Sequence, residues 1–419
     1  MGANRFGTSG NLNMQPKKVC VVGLGYIGLP TAALLASNGF NVVGVDLNTH
    51  AVDTINQGLI HIVEPDLDAF VRSAVAAKRL TAFTTPQAGD IYMICVPTPF
   101  HEGDGIPQPN IDYVIAATRS IANFIKPGDL VILESTSPVG TTEKMEAELR
   151  DAGVDVSQIH MAYCPERVLP GKIMTELVEN DRVVGGLTPA ATRAVSTFYK
   201  TFVRGSVLET DAKTAEMCKL TENSFRDVNI AFANELSMLC AKSGINVWNL
   251  IALANRHPRV SILQPGAGVG GHCIAVDPWF IVAGDPETAR IIRTAREVNN
   301  YKTEWVIDQI KIAVADASAR TGRKPKVACL GLAFKPDIDD LRESPAVHIA
   351  SELLAQGYDV VAVEPNIDAH DKFAMVSLDD ALATADVFAV LVKHRQFLDG
   401  QVKTSLGDRF ALDFCGILS

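Results

Sequence analysis

The most constraining feature of the chain is a glycine pattern, Gly23-x-Gly25-x-x-Gly28, set between two short apolar runs. The run before it, residues 18–22, predicts a buried strand, and the residues from Gly28 to Leu35 predict a helix that ends at Asn38-Gly39. The next run, residues 41–46, ends in an acid 23 residues after the first glycine. This order of strand, glycine turn, helix and strand predicts the βαβ unit of a dinucleotide-binding fold.

The glycine turn and the acid that follows it carry a specific chemistry. Glycines allow a pyrophosphate to approach the start of a helix, where free N–H groups and the helix dipole favour anions. Asp46, at the end of the second strand, is expected to accept hydrogen bonds from an adenosine ribose and to repel the 2′-phosphate of NADP. The sequence therefore predicts NAD as the cofactor, against the alternative of a glycine turn without a ligand.

The stretch from Val19 to Val45 contains no charged residue and is long enough to span a bilayer. Glycines and Pro30 interrupt it at turn-like positions, which favours the strand, helix and strand and predicts no membrane partner. The net charge of −10 and the lack of a basic run argue against a nucleic-acid partner. Residues 1–16 lack the basic start and apolar run of a signal peptide, and we expect them to be disordered.

The chain contains eight scattered cysteines and no Cys-x-x-Cys pair. This usage predicts a cytoplasmic protein and indicates neither a zinc site nor a redox pair, so no metal is expected. Most of the cysteines are predicted to be small core residues.

The last hundred residues repeat the opening theme. Residues 326–331 resemble the first strand, residues 356–364 resemble residues 38–46, and a helix is predicted over residues 346–355. Phe334-Lys335-Pro336 replaces the full glycine pattern, which suggests a different phosphate ligand. The expected fold class is α/β, with two Rossmann-like doubly wound parallel-sheet domains joined by a central helical region with a long helix.

With 419 residues, the chain has room for more than one domain. We expect Asp211 to cap the long helix, which is predicted to run to Lys242, with further helix from Trp248 to Ala254. The predicted domains are a disordered extension (1–16), an NAD-binding domain (17–210), a central helical region (211–318) and a C-terminal Rossmann-like domain (319–419).

A cysteine on a glycine turn is the main catalytic candidate. Cys273 follows Gly270-Gly271-His272 and precedes Asp277 by four residues. A thiol presented on such a turn can act as a nucleophile and hold an aldehyde while it is oxidised a second time, which predicts a four-electron dehydrogenase. The alternative is a buried core cysteine. His272 is treated as structural.

Other polar residues are candidates with a structural alternative. Lys219, Asn223 and Arg226 share one helical face, which forms either a solvated surface or the wall of a site that stabilises an oxyanion. In the loop of residues 164–171, Glu166 is a candidate base or water holder and Arg167 a candidate anion ligand, and a surface ion pair is the alternative.

These motifs together resemble the UDP-glucose/GDP-mannose dehydrogenase family over nearly the whole chain from Lys17. The strings that carry the resemblance are GLGYIGLP (23–30), ESTSPVGTTE (134–143), CPERVLPG (164–171), KLTENSFRDVNIAFANE (219–235), GVGGHCIAVDPWF (268–280) and GLAFKPDIDDLRES (331–344). The resemblance implies an NAD-dependent oxidoreductase that acts as a homodimer on a UDP-sugar. It also implies that residues 211–318 form the dimerisation and catalytic region and residues 319–419 the UDP-sugar-binding domain. Within the family, three strings are typical of enzymes that oxidise UDP-N-acetyl-D-mannosamine, namely CKLTENSFRDVNIAFANEL (218–236), NRHPRVSILQPG (255–266) and GHCIAVDPWFIV (271–282). UDP-N-acetylglucosamine or another UDP-hexosamine is the alternative substrate.

The resemblance also implies residue roles. Cys273 is the expected nucleophile, Lys219 and Asn223 the oxyanion ligands, Asp277 the residue that aids attack by water, and Glu166 a carboxylate near the intermediates. The expected NAD contacts are Gly23, Gly25, Tyr26, Ile27, Gly28, Asp46, Thr98, Thr136 and Arg342. The expected substrate contacts are Arg167, Val168, Lys219, Asn223, Arg226, His257, Arg259, Gly270, Phe334 and Lys335, with His257 or Arg259 acting across a dimer interface.

One position departs from the family pattern. Some relatives carry a second glutamate four residues after the first, and this chain has Pro170 there, so the role of that carboxylate is not transferred. Two other classes of function share parts of the plan. A two-electron β-hydroxyacid dehydrogenase would tolerate loss of Cys273, and a non-catalytic sensor of nucleotide sugars would bind its ligands without reducing NAD.

Overall fold

The computed structural model describes residues 17–103, 105–271, 273–407 and 409–418, so the prediction for residues 1–16 lies outside the described residues. The chain divides into two compact units, one up to Lys219 and one from Leu220 onward. Each unit contains a largely or wholly parallel sheet with helices, and the α/β prediction with two Rossmann-like domains and a long central helix is confirmed. No helix in the described ranges is both long and apolar enough to cross a bilayer.

The first unit is an alternation of strands and helices. Its strands are β1 (Lys18–Val22), β2 (Asn41–Val45), β3 (Leu80–Phe83), β4 (Ile91–Ile94), β5 (Leu130–Leu133), β6 (His160–Tyr163), β7 (Arg182–Gly186) and β8 (Val207–Asp211). Its helices are α1 (Gly28–Ser37), α2 (Thr49–Asn56), α3 (Leu67–Ala76), α4 (Asp112–Ile121), α5 (Thr141–Asp151), α6 (Ile173–Glu179) and α7 (Pro189–Tyr199).

The eight strands form one sheet in the order β3-β2-β1-β4-β5-β6-β7-β8, with β6 and β7 antiparallel and the other neighbours parallel. Helices cover both faces of such a sheet, so its central strands are apolar on both sides. Along β1, Val19 and Val21 pack into one apolar cluster and Cys20 and Val22 into another. Because Val22 is in register with the ends of β2 and β4, the loops after these strands meet at one edge.

The long helix α8 (Ala212–Ser243) begins in the first unit and continues into the second. Asp211 caps it as predicted, since its carboxylate accepts the backbone N–H of Thr214 at 3.0 Å. The second unit also contains the helices α9 (Val247–Ala254), α10 (Asp277–Gly284), α11 (Arg290–Thr321), α12 (Pro345–Ala355), α13 (Leu378–Thr384) and α14 (Gly400–Gly407). Its strands are β9 (Lys326–Leu330), β10 (Asp359–Val363), β11 (Ala374–Met375), β12 (Val387–Val390) and β13 (Phe410–Asp413). They form a parallel sheet in the order β11-β10-β9-β12-β13.

A buried carboxylate holds the turn after the first strand of this second sheet. Glu364 follows β10, and its Oε2 accepts the backbone N–H groups of Leu332 at 2.7 Å and Ala333 at 3.0 Å. His394 Nε2 lies 2.9 Å from the same oxygen, and Asn366 donates two hydrogen bonds to Oε1. Burial raises the pKa of Glu364, but the bonds from His394 and the two N–H groups outweigh burial and lower the pKa to about 2.

This pKa predicts an acid-sensitive contribution to stability. A carboxyl with a lowered folded-state pKa contributes fully above its unfolded value of about 4.3, and the contribution is lost as the pH falls towards 2. We expect Glu364→Gln to lower the free energy of unfolding at pH 7 by about 3 kcal/mol, with the difference from the natural chain vanishing towards pH 2. Urea unfolding followed by tryptophan fluorescence tests this, because Trp248, Trp279 and Trp305 all lie in the second unit.

The control for this measurement is Glu297→Gln, which changes an exposed glutamate on α11 paired only with Arg293. A loss of stability in Glu364→Gln that stays constant from pH 7 to pH 3 would contradict the assignment of the lowered pKa to Glu364.

Candidate active site

The glycine turn of the first unit is shaped by close backbone approach. A Cβ on Gly28 would lie 1.7 Å from the carbonyl oxygen of Gly23, and a Cβ on Gly23 would lie 2.6 Å from the carbonyl oxygen of Cys95. Gly23 also adopts φ +92°, which disfavours other residues. The turn leads through Tyr26 and Ile27 into α1, so the free N–H groups at the start of this helix lie where a pyrophosphate would bind.

Asp46 ties the end of β2 to this turn. Its Oδ2 accepts the backbone N–H of Leu24 at 2.9 Å, and its Oδ1 accepts that of Asn48 at 2.9 Å. A carboxylate offers about four lone-pair sites, so both oxygens keep capacity for a ribose diol. The half-buried Asp46 and the open space at Gly25 therefore fit the adenosine and pyrophosphate of NAD.

Thr98 and Thr136 meet at the same edge of the sheet. The Thr98 hydroxyl donates to the carbonyl oxygen of Thr136 at 2.6 Å, which joins the loops after β4 and β5. Glu216, from the first turns of α8, accepts the backbone N–H groups of Gly140 at 2.6 Å and Thr142 at 2.9 Å and so fixes the end of the second loop. The sequence analysis did not identify Glu216, whose partners lie more than 70 residues away.

Glu166 belongs to a buried ion pair. Its Oε2 lies 2.7 Å from Nη1 of Arg182, and the two residues are only 7% and 2% exposed. Its Oε1 accepts the backbone N–H of Arg167. The alternative of a surface ion pair is therefore wrong for Glu166, because its partner is a residue of β7 that the sequence analysis did not identify.

A second carboxylate lies among thiols in the same unit. Tyr199 donates its hydroxyl to Glu134 at 2.6 Å, and the thiol of Cys95 lies 3.3 Å from the other oxygen. Burial raises the pKa of Glu134, raises that of Cys95 well above its usual value and raises that of Cys164 to about 12. Cys95 and Cys164 are therefore protonated thiols at neutral pH, in keeping with their predicted core role.

The loop that carries Glu166 is fixed at its far end by Glu64. This buried carboxylate accepts the N–H groups of Gly171 and Ile173, both at 2.8 Å, and so caps α6. Within the loop, Nη1 of Arg167 donates to the carbonyl oxygen of Asp181 at 3.2 Å, and Val168 packs against the apolar core. The sequence analysis did not identify Glu64, which lies 107 residues from Gly171 along the chain.

In the second unit, the catalytic candidates lie around the start of α10. Cys273 is the one exposed residue among the eight free cysteines, all of which the structure describes. Its carbonyl oxygen accepts the N–H groups of Val276 at 3.1 Å and Asp277 at 2.8 Å, so the turn leads directly into the helix. The alternative of a buried core cysteine is therefore wrong for Cys273. His272 lies outside the described residues.

Asp277 connects this turn to α8. The side chain of Asn223 donates to Oδ2 of Asp277 at 2.6 Å, and Asp277 is only 3% exposed. Three of the five predicted catalytic residues, namely Asn223, Cys273 and Asp277, thus lie around one hydrogen bond and one turn. The other two, Lys219 and Glu166, belong to the first unit.

The glycine turn before Cys273 packs against the loop after β9. A Cβ on Gly271, which has φ +82°, would lie 2.8 Å from the ring of Phe334, and a Cβ on Gly270 would lie 2.4 Å from the carbonyl oxygen of Glu343. The N–H of Gly271 also donates to the carbonyl oxygen of Arg342 at 3.3 Å. The structure therefore brings together three predicted ligand contacts, Gly270, Phe334 and Arg342, and adds Glu343.

Side chains on this loop are held or exposed in different ways. The guanidinium of Arg342 forms a bidentate pair with Asp340, at 3.0 and 2.6 Å, and Lys335 is exposed beside Phe334. Arg226, His257 and Arg259 are also exposed, and none of the three makes a hydrogen bond to the Cys273 turn within the described residues.

Lys219 differs from Arg226 although both lie on the same face of α8. It is 9% exposed and makes no hydrogen bond or ion pair to any residue that the structure describes. A solvated face therefore accounts for Arg226 but not for Lys219. Because little of Lys219 reaches solvent, an anionic group on a bound ligand would stabilise its positive charge.

Comparison with known proteins shows the family of this chain. Residues 17–203 match the NAD binding domain, residues 213–301 the central domain and residues 328–419 the UDP binding domain of the UDP-glucose/GDP-mannose dehydrogenase family. A UDP-N-acetyl-D-mannosamine dehydrogenase of Escherichia coli K12 is 59% identical over 90% of this chain and 94% of its own length. An NDP-N-acetyl-D-galactosaminuronic acid dehydrogenase of Ralstonia nicotianae is 55% identical over 91% of this chain and 92% of its own.

A solved structure is similar over the whole fold. The UDP-D-ManNAc dehydrogenase of Pyrococcus horikoshii is 37% identical, with a TM-score of 0.84 over 96% of both chains. The fold and these matches define an NAD-dependent oxidoreductase of nucleotide sugars, which confirms NAD as the cofactor. The chain belongs to the UDP-glucose/GDP-mannose dehydrogenase family.

The turn geometry predicts different effects for two glycines of the NAD-binding pattern. Gly28→Ala forces a Cβ against the backbone of Gly23, and we expect it to destabilise the first unit by about 3 kcal/mol and to abolish NAD binding. Gly25→Ala meets nothing within 4 Å, so the fold is expected to keep its stability while NAD binds more weakly. Thermal unfolding and calorimetric titration with NAD measure the two effects separately. Natural stability and affinity in both variants would contradict this view of the turn.

Proposed function

We propose that this chain oxidises C6 of UDP-N-acetyl-D-mannosamine in two NAD-dependent steps, a four-electron reaction that yields UDP-N-acetyl-D-mannosaminuronate. The observation that carries the mechanism is the exposed thiol of Cys273, placed on a turn next to the Asn223–Asp277 hydrogen bond. Support for the substrate comes from the relatives, since the E. coli protein at 59% identity is named for UDP-N-acetyl-D-mannosamine.

The proposed mechanism assigns roles to Cys273, Lys219, Asn223 and Asp277. NAD, when bound, accepts a hydride in each oxidation. Cys273 attacks the C6 aldehyde as a thiolate and forms a C–S bond, giving a thiohemiacetal that becomes a thioester when C6 loses its second hydride. Lys219 and Asn223 stabilise the oxyanion at C6. Asp277 orients Asn223 through their hydrogen bond and assists the water that cleaves the thioester to acid and free thiol.

The observed hydrogen bonds determine what Asn223 and Glu166 can still do in the reaction. One N–H of the Asn223 amide is engaged with Asp277, and its second N–H is left for the oxyanion. Glu166 is proposed as a carboxylate near the intermediates, although Arg182 and the N–H of Arg167 already engage its oxygens, so its effect is electrostatic rather than that of a free base.

The sugar specificity has a concrete alternative. The relative that is named for an NDP-N-acetyl-D-galactosaminuronic acid is 55% identical to this chain, only slightly less than the 59% of the E. coli protein. UDP-N-acetylglucosamine, the C2 epimer, is a further candidate. Comparison of kcat/KM for the UDP-linked mannosamine, glucosamine and galactosamine derivatives decides among them, and a clear preference for either alternative would overturn the proposed substrate.

Loss of the thiol gives the main test of the mechanism. We expect the natural chain to form two NADH per acid and Cys273→Ala to lower acid formation by about four orders of magnitude or more, because the aldehyde is no longer held covalently. NAD and substrate binding are expected to survive in this variant. Cys329→Ala, which makes the same change at a buried core cysteine, is the control and keeps the stoichiometry. Acid formation at the natural rate by Cys273→Ala would refute the role of the thiol.

We also propose that the enzyme is a cytoplasmic homodimer. In support of a reducing compartment, all eight cysteines are free. In support of a dimer, α8 exposes Phe225, Phe232 and Leu239 at intervals of seven residues, with exposed fractions of 70%, 54% and 55%. A repeat of seven places these side chains in one stripe along the helix, which suits packing against a second copy of the same helix.

The dimer proposal predicts a change of mass in solution. Phe232→Glu introduces a charge in the middle of the stripe, and we expect a shift from dimer to monomer in sedimentation equilibrium. Tyr113→Glu, at an aromatic residue of α4 that is 48% exposed, is the control and keeps the natural mass. A dimer of unchanged stability in Phe232→Glu would exclude this surface.

A further inference from the structure

A chain of buried polar side chains joins α8 to α11 behind the Cys273 turn. It begins at an ion pair, in which Nη1 of Arg296 lies 2.6 Å from Oδ1 of Asp227. The residues of this pair are 2% and 0% exposed, and the amides of Asn299 and Asn234, next in the chain, are 1% and 0% exposed. Within the described residues, Oδ2 of Asp227 and Nε of Arg296 make no hydrogen bond, whereas the side-chain oxygen and NH₂ group of both amides are engaged.

The carboxylate of Asp227 determines which way the side-chain amides of Asn299 and Asn234 are turned. Asn299 donates its NH₂ to Oδ1 of Asp227 at 2.8 Å and to the backbone carbonyl of Asp227 at 3.1 Å. The oxygen of Asn299 is thereby turned towards Asn234, whose NH₂ donates to it at 2.9 Å. The remaining oxygen of Asn234 accepts the backbone N–H of Gly266 at 2.9 Å. Because a carboxylate can only accept, neither amide can flip without losing a bond.

The end of this chain is the segment that leads to the thiol. Residues 266–271 connect Gly266 to the turn of Cys273, and Thr303 of α11 donates its hydroxyl to the carbonyl oxygen of Ala267 at 3.1 Å. At the other end of the segment, the N–H of Gly271 donates to Arg342. The segment is therefore held by α8 and α11 at its start and by the loop after β9 at its end.

We propose that Asn234 and Asn299 are positioning residues, which orient the Cys273 thiol by holding the N–H of Gly266. The proposal rests on the proposed role of Cys273 as the nucleophile. A hydrogen-bond chain that served stability alone could be replaced by apolar side chains at little cost. A chain that sets the place of a nucleophile cannot, because a displacement of about 1 Å lowers the rate about a hundredfold.

Two leucine variants and their combination test this. Asn234→Leu is expected to lower kcat about ten- to a hundredfold and to change the rate of Cys273 alkylation by iodoacetamide, read by peptide mass, with NAD affinity within about twofold of natural. Asn299→Leu is expected to act in the same direction. Because the two residues act in series, the double variant is expected to lose little more than Asn234→Leu alone. Additive losses would indicate two independent structural effects and would overturn the proposal.

Two further variants separate positioning from loss of stability. Asn234→Asp keeps an oxygen for the N–H of Gly266 but replaces the NH₂ group that donates to Asn299 with a second acceptor, so it is expected to recover only part of the rate that Asn234→Leu loses. Val306→Ala, at a buried apolar residue of α11, lowers stability without removing a hydrogen bond of the polar network and is expected to keep the natural kcat. If Asn234→Leu does not fold, Thr303→Val carries the test, since it removes only the bond to Ala267 and is expected to lower kcat in the same way.

The outcomes distinguish this proposal from the one on which it rests. If Cys273→Ala still forms acid, the nucleophile assignment fails whatever the asparagine variants do. If Cys273→Ala is inactive while folded Asn234→Leu keeps the natural kcat and alkylation rate, only the positioning role is refuted.

Discussion

Both nucleotide folds depend on a carboxylate at the end of the second strand that holds the turn after the first strand. In the first unit, Asp46 accepts the N–H of Leu24 from the glycine turn, and in the second unit Glu364 accepts those of Leu332 and Ala333. The two carboxylates differ in what else they bind. Asp46 is half-buried and, among the residues that the structure describes, accepts one further backbone hydrogen bond, from Asn48, so it retains capacity for a ligand.

Both carboxylate oxygens of Glu364, by contrast, are already hydrogen-bonded to other groups of the protein. His394 and Asn366 engage it in addition to the two turn N–H groups, and it is 5% exposed. A ribose diol would have to displace one of these bonds at the cost of leaving a buried donor unpaired. The same topological position thus serves cofactor recognition in one fold and loop rigidity in the other. The rigid loop presents Phe334 and Lys335, the residues that replace the glycines of the first pattern.

Local pattern was sufficient to predict the elements that are defined by neighbours in sequence. The bounds of β1 and the cap at Asp211 followed from an apolar run and capping chemistry. The helix α11 was not predicted, because its 32 residues are rich in charge and its apolar face is recognisable only against the C-terminal sheet. The predicted strands at residues 41–46 and 326–331 each extend one residue beyond the observed ends of β2 and β9.

The residues of the candidate site were also predicted where a local sequence signal marks them and missed where none does. Cys273 was identified because glycines precede it and Asp277 because its carboxylate follows the thiol by four residues, both of which are local signals. Arg182, Glu64 and Asn234 were missed because each acts through a partner that only folding brings near, such as Gly266, 32 residues from Asn234, or Gly171, 107 residues from Glu64. A carboxylate or amide that pairs with a distant backbone N–H has no spacing rule in the sequence.

Burial explains why one thiol among eight can carry the chemistry. Desolvation raises the pKa of Cys20 to about 11 and that of Cys329 to about 12, so these sulfurs stay protonated and unreactive at neutral pH. Cys273 is exposed because a backbone turn, held at Gly266 and Gly271, presents it at the surface instead of a packed strand or helix. A turn has few side-chain contacts of its own to fix it, so the position of its thiol has to be set from outside by backbone hydrogen bonds. Placing the proposed nucleophile on a glycine turn therefore has two consequences. The thiol is exposed, and a buried polar network is needed to fix its position.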